Sequence, residues 1–349
     1  MKATKLIFKL FLLSLVFVSC RNDDNGTPVQ TLYENGVLIS GQGSGAGSGS
    51  ISYVSNDYKK VVNNIYALAN NQKELGKFLQ SLAFYDNKTY VVVDNTNSIT
   101  VLGNTSFEEE TKITEGLIGP KFMTVVGSKG YVTNSGTENS FVAIVDLKTN
   151  TVISKIDVTN GPEQIIHFKG KLFMTHTFSH DLVSVIDLNN DNKVTTITVA
   201  GSPDELFINS NNELVVLSEG KTLYDDSWNV IGLKPGAIQT INPSSNKIIK
   251  TIAFTEDVKV NLLMEYENDY YYTSGGKVYK ISNSDNSLST TPLFEAALSG
   301  MNIKDGKLFG VNAGFYDALS SLNVYDLSTN KSEFDTEVAL GATKVYFVE

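Results

Sequence analysis

His176 and His180 stand four apart in the stretch His-Thr-Phe-Ser-His, a spacing that on a helix would put both imidazoles on one face for a metal ion. No cysteine and no Asp/Glu pattern completes a metal set around them. The strand patterns on either side place the pair in a loop, where structural or solvent-exposed histidines are the expectation. Asp187, Asn189 and Asp191 open like a calcium loop, but the sixth place holds Asn192 instead of Gly and the twelfth Thr198 instead of Glu, so the stretch reads as a turn. The glycine-rich run 41–49 is followed by a strand and by no Lys-Ser or Lys-Thr, which argues against a phosphate cradle. No Ser/His/Asp constellation or nucleophile elbow is apparent. Two sets with binding character remain. One is polar: Gln80, Lys121, Glu163, Gln164, Asp204, Glu205, Asn261 and Lys344. The other is aromatic: Phe178, Tyr224, Trp228, Phe315 and Tyr316, Trp228 being the only tryptophan.

The elements that must hold these residues repeat. The stretch Asp-Leu-Lys-Thr-Asn at 146–150 returns, with changes, along the chain, each time after an alternating apolar run. The apolar residue just before each turn is Val54, Leu102, Val145, Ile186, Ile241, Ile281 and Tyr325, at steps of 48, 43, 41, 55, 40 and 44 residues. Seven units of short alternating strands at this period are the mark of an all-β fold, a seven-bladed β-propeller. Asp and Asn recur at the turns because their side chains bond nearby backbone and tolerate turn geometry. The last unit supplies only an inner strand, at 341–349, and the N-terminus supplies strands at 35–41, 49–55 and 60–66 with no inner strand before them. The N-terminal strands are therefore expected to pair with the C-terminal inner strand and close the ring, which removes an unpaired edge.

In such a blade the loop from second to third strand and the loop from outer strand to next inner strand share one face. The aromatic set falls on the former, the longest of which lies in the fifth blade and carries Tyr224 and Trp228. The polar set falls at the starts of inner strands and is expected to ring the channel mouth on that same face. Convergent polar groups beside loop aromatics suit an amide-bearing small molecule.

The chain has 349 residues, 41% of them hydrophobic, and a formal net charge of −10. It can bury a large core, and its acidity argues against nucleic acid and against a basic lipid-binding face. Lys2, Lys5 and Lys9 precede an apolar run at 10–18 that is too short to span a bilayer, so residues 1–19 read as a signal peptide. Cys20 is the only cysteine, which excludes a disulfide within the chain. Residues 20–30 follow as a polar linker and 31–349 as the propeller.

The leader resembles a bacterial lipoprotein signal, which implies lipidation of Cys20, and Asp23-Asp24 resembles the acidic tags of surface lipoproteins of Bacteroidota. Tyr131-Val132-Thr133-Asn134 matches the tetrapeptide that names the YVTN β-propeller family, and the stretches at 41–57, 63–66 and 75–82 look like a lipoprotein group within it. That group includes a propeller that captures cobalamin for its outer-membrane transporter. The resemblance implies an outer-membrane, outward-facing lipoprotein that touches the membrane through its lipid alone. It also implies a non-enzymatic role with no cofactor of its own: capturing a small molecule, a corrinoid by resemblance, for a TonB-dependent transporter. The expected ligand-binding residues are Gln80, Lys121, Gln164, Glu205, Asn261, Lys344, His176, Phe178, Tyr224, Trp228, Phe315 and Tyr316. A single imidazole meeting a cobalt centre is the other use left to a histidine here. Two alternatives stand beside this expectation. One is a protein- or glycan-binding adhesion propeller. The other is a lactonase-like hydrolase with a metal held in the channel by Glu163, Asp204, Glu205 and Asn261.

Overall fold

A computed structural model describes residues 33–45, 47–136, 139–176, 180–314 and 318–348. The leader, Cys20, the linker, Phe178, Phe315 and Tyr316 lie outside the described residues.

Seven sheets of four antiparallel strands form the blades of a β-propeller. Blade 1 is mixed: its inner strand is Ala342–Val348 and its other strands are Gly36–Gly41, Ser50–Ser55 and Val61–Val62. The inner strands of blades 2 to 7 are Leu79–Tyr85, Pro120–Val126, Pro162–Phe168, Pro203–Ile208, Leu262–Tyr266 and Gly300–Lys304. Closure is as expected: Gly36–Gly41 pairs with Ala342–Val348, Leu38 opposite Tyr346.

Burial follows strand position. Second and third strands are covered on both faces, as in Ser140–Asp146, because neighbouring blades stack on both sides of them. The outer strand Thr151–Asp157 is largely exposed. Each apolar cluster spans two adjacent blades; Leu38 and Ile51 of blade 1 join Val91 and Leu102 of blade 2. The stretch after Val62 departs from the expected strand. Asn64 takes a left-handed conformation and a short helix, Ile65–Ala69, buries Ile65 and Tyr66 on the way to blade 2.

The recurrent turn has one geometry. Asp146 accepts from the Lys148 N–H, Asp187 from Asn189, Asn242 from Ser244 and Asp326 from Ser328, at 2.8–3.0 Å. Four residues after each of these stands Asn150, Asp191, Asn246 or Asn330, all at positive φ, which Asn and Asp tolerate best after Gly. The calcium-like stretch is one copy of this turn.

A second device repeats at the starts of the inner strands. In blades 2 to 5 the inner strand carries one extra residue near its second position, a β-bulge. The bulge leaves a carbonyl for the preceding blade to bind. Ser81 donates to Lys121 O (3.0 Å), Thr133 to Glu163 O (2.8 Å) and Thr175 to Asp204 O (3.1 Å). The tetrapeptide 131–134 is thereby explained: Tyr131 and Val132 are core, Thr133 braces the next blade, and Asn134 accepts from the Ile118 N–H.

Candidate functional site

Because inner strands start at the face reached by the outer-to-inner loops, their bulged starts surround the channel there. Gln164, Glu205 and Lys344 come together, lining a cavity of about 340 Å³ that runs inward past Met264 and Asn302 to Tyr346. The Lys344 ammonium lies 3.6 Å from Glu205, with side chains 29% and 16% exposed toward the channel, and 5.6 Å over the Phe122 ring. Burial works against the Lys344 charge, but Glu205 and Asp204 outweigh it and hold its pKa above the ordinary lysine value. Desolvation raises the pKa of Asp204 and of Glu205 from the ordinary carboxylate value, with Lys344 opposing. A third carboxylate, Glu219, is pushed up to about 7, first by desolvation and then by Asp204 and Glu205, with Lys259 opposing. Its side chain is open to solvent, so water screens part of this effect.

Other expected residues are placed apart. Lys121 is tied to Asp94 at 2.6 Å, and Gln80 bonds the Phe78 carbonyl at 3.3 Å. Asn261 lines a separate hollow of about 260 Å³ with Gly275, Gly276 and Asn312. His176 is fully buried; Nδ1 bonds Asn160 O at 2.9 Å and Nε2 bonds Ser184 at 2.8 Å. Desolvation lowers its pKa to about 4. It occupies the place of Asn134 one blade earlier and, like Asn134, ties the strand end to the incoming loop. With both ring nitrogens engaged, His176 is a structural residue, which corrects the expectation that it faces a ligand.

Tyr224 and Trp228 sit on an arm that the sequence did not reveal as such: the long fifth loop is a continuation of the strands Leu214–Tyr224 and Val230–Asn242. At its base Glu219 and Gly220 donate to Ser202 O and Gly201 O, and Asp181 binds both Lys221 and Lys234. At its tip Asp225 accepts from the Ser227 and Asn229 N–H groups, and Trp228, 82% exposed, takes φ 63°. The arm also exposes Leu223, Val230, Ile231 and Leu233. Leu68 of the short helix, Phe78 and Ile118 just before inner strands, and Leu319 at the start of a third strand are exposed on the same face. Outside that face the exposed large apolar groups among the described residues are Phe84, Ile153, Ile248 and Ile249. An open hollow of about 550 Å³ lies between the outer strands of blades 2 and 3, lined by Lys112 and Asn150, and shares no residue with the mouth cavity. Among the described residues no group of three His, Cys, Asp or Glu side chains is placed to hold a metal ion.

A seven-bladed β-propeller with a charged channel mouth and an apolar rim is the class this fold and face define. The chain belongs to the family of the domain of unknown function DUF5074, which it matches over residues 35–229. No curated protein matches the chain. Among solved structures it is similar to a Bacteroides fragilis protein assigned as a 6-phosphogluconolactonase, with TM-score 0.65 and 12% identity over 92% of this chain and 100% of that one. It is also similar to a computationally designed protein, Ika8, with TM-score 0.59 and 11% identity over 91% and 89% of the two chains. Hydrazine synthase of Kuenenia stuttgartiensis gives TM-score 0.57 and 13% identity over 74% and 85%. Identities this low concern the fold alone.

Proposed function

We propose that the mouth face is a ligand-capture surface and that the protein is a non-enzymatic binder of a sizeable small molecule with both amide-like edges and apolar surface. The observation that supports this reading is the gathering of exposed apolar side chains on one face around the Glu205–Lys344 mouth. Solvent-exposed rings and branched aliphatics on a pinned hairpin cost solubility and do nothing for the core, so selection for contact is their simplest cause. The sequence resemblance to YVTN propellers of Bacteroidota lipoproteins points to a corrinoid as ligand and to a TonB-dependent transporter as recipient, with Cys20 as lipid anchor on the outer membrane.

Titration calorimetry of residues 27–349 against cyanocobalamin tests this. One-to-one binding that weakens at least tenfold in Trp228→Ala and in Lys344→Ala supports capture at this face, since alanine changes at interface anchors cost about 2 kcal/mol or more. Absence of heat and of binding would remove the corrinoid. A protein partner binding the same variants less well would then favour the adhesion reading.

A further inference from the structure

Four aromatic residues in the described chain hold positive φ: Tyr58 (60°), Phe78 (59°), Phe107 (56°) and Trp228 (63°). A bulky side chain in this left-handed region is strained and persists only where something else over-determines it. Phe107 is fully buried, and Tyr58 stacks on Phe334 at 4.7 Å, so packing offsets the strain at both. Phe78 has no such offset, being 46% exposed.

The backbone at Phe78 explains the conformation but not the ring. Its N–H donates to Gln42 O at 2.8 Å and its carbonyl accepts from the Asp94 N–H at 3.1 Å, which locks blade 1 to blade 2. Asn or Gly would satisfy those bonds with less strain. The ring instead lines a hollow of about 550 Å³ beside the ring closure, whose other walls include Gly43, Gly45, Leu340 and Gly341. A Cβ on Gly341, at φ 66°, would stand 2.8 Å from Gly43 O, so this wall is kept free of side chains. Among the described residues the one charged side chain lining the hollow is Lys77, whose ammonium donates to Gly45 O at 3.0 Å. An ammonium carries three N–H groups, and the remaining ones are available to an acceptor at this rim.

We propose that this hollow binds a flat aromatic anion, its ring laid on Phe78 and Leu340 and its acidic group at Lys77. The wall is mostly apolar with one cation at its edge, which suits a planar carboxylate or sulfonate better than a sugar with hydroxyls all round. Phe78 is part of the apolar rim of the mouth face, but no residue of this hollow lines the Gln164–Glu205–Lys344 cavity, so the two cavities are tested separately.

The test is ligand-observed NMR titration of the full-length protein with indole-3-carboxylate, with cyclohexanecarboxylate as the non-planar counterpart. The expected dissociation constant is roughly 0.1–1 mM for a ligand of this size. Binding should weaken about tenfold in Phe78→Asn, through loss of the stacking surface and its burial. Lys77→Gln should weaken the carboxylate but leave neutral indole unchanged, while Trp228→Ala should bind as the parent does. Phe78→Asn should melt at the parent temperature or above it, because Asn fits the left-handed backbone; a purely structural ring would lower it. No binding to the parent, equal binding to Phe78→Asn, or a clear drop in melting temperature on that change would each overturn the proposal.

Discussion

At the residue scale, His176 and Glu219 carry opposite pH behaviour. His176 is held neutral, with its pKa lowered to about 4 from about 6.5 unfolded. The unfolded chain binds the extra proton first, so the stability His176 contributes is present above about 6.5 and is lost as pH falls through about 4. His176→Ala would strand Asn160 O and Ser184 and leave a void, costing roughly 2–4 kcal/mol in chemical denaturation. His176→Asn, which copies Asn134, should recover most of that loss and flatten the melting-temperature profile between pH 6.5 and 4. Glu219 runs the other way. Its folded pKa of about 7 lies above the unfolded value, so the folded protein binds more protons between them and loses stability as pH rises toward 7. Glu219→Gln should therefore raise the melting temperature at pH 8 and change it little at pH 4. An equal gain at both would mean that the folded protein does not raise the Glu219 pKa.

At the element scale, the arm of blade 5 and the inter-blade hydroxyl brace divide function from scaffold. The arm beyond Lys221 and Lys234 buries little, so replacing residues 222–233 by a two-residue Asn-Gly turn should leave the fold intact, with a melting shift within about 2 °C for a chain of this size. The same change should abolish capture at the mouth face, as read by calorimetry. Thr133→Val should do the reverse. It removes the bonds to Glu163 O and the Phe122 N–H and costs roughly 1–3 kcal/mol, while ligand affinity per folded molecule is unchanged. The tetrapeptide 131–134 stood out in the sequence; that its Thr braces the next blade and its Asn holds the incoming loop of its own blade came only from the hydrogen bonds. The fifth-blade insertion was legible as length and aromatic content. Its shape was not, because nothing local says whether an insertion continues its strands or loops away.

At the scale of the whole molecule, the mouth face and the chain entry are opposed. Gly36 begins a strand whose far end, Gly41, leads into the glycine-rich loop of the mouth face, so the chain arrives at the other face. On the proposed reading, the thirteen residues from 20 to 32 link the Cys20 anchor to the propeller. Deleting residues 21–30 should thus leave ligand binding unchanged in calorimetry yet block delivery to a membrane partner. Unchanged delivery would place the recipient elsewhere.

The sequence by itself determined the seven units, the turn chemistry and the ring closure. Period, alternation and Asx turns are local, and a chain beginning with three strands and ending with one inner strand has one way to leave no edge unpaired. It also placed Gln164, Glu205 and Lys344 at the mouth, since register alone puts inner-strand starts there. Only the tertiary structure decided which of the polar set share a cavity, that Asn261 and Lys121 go elsewhere, that His176 is core, and that Glu219 and Phe78 belong to the face. Those outcomes depend on distances between blades some forty residues apart in the chain and on backbone angles set by neighbouring blades, and no local pattern carries either.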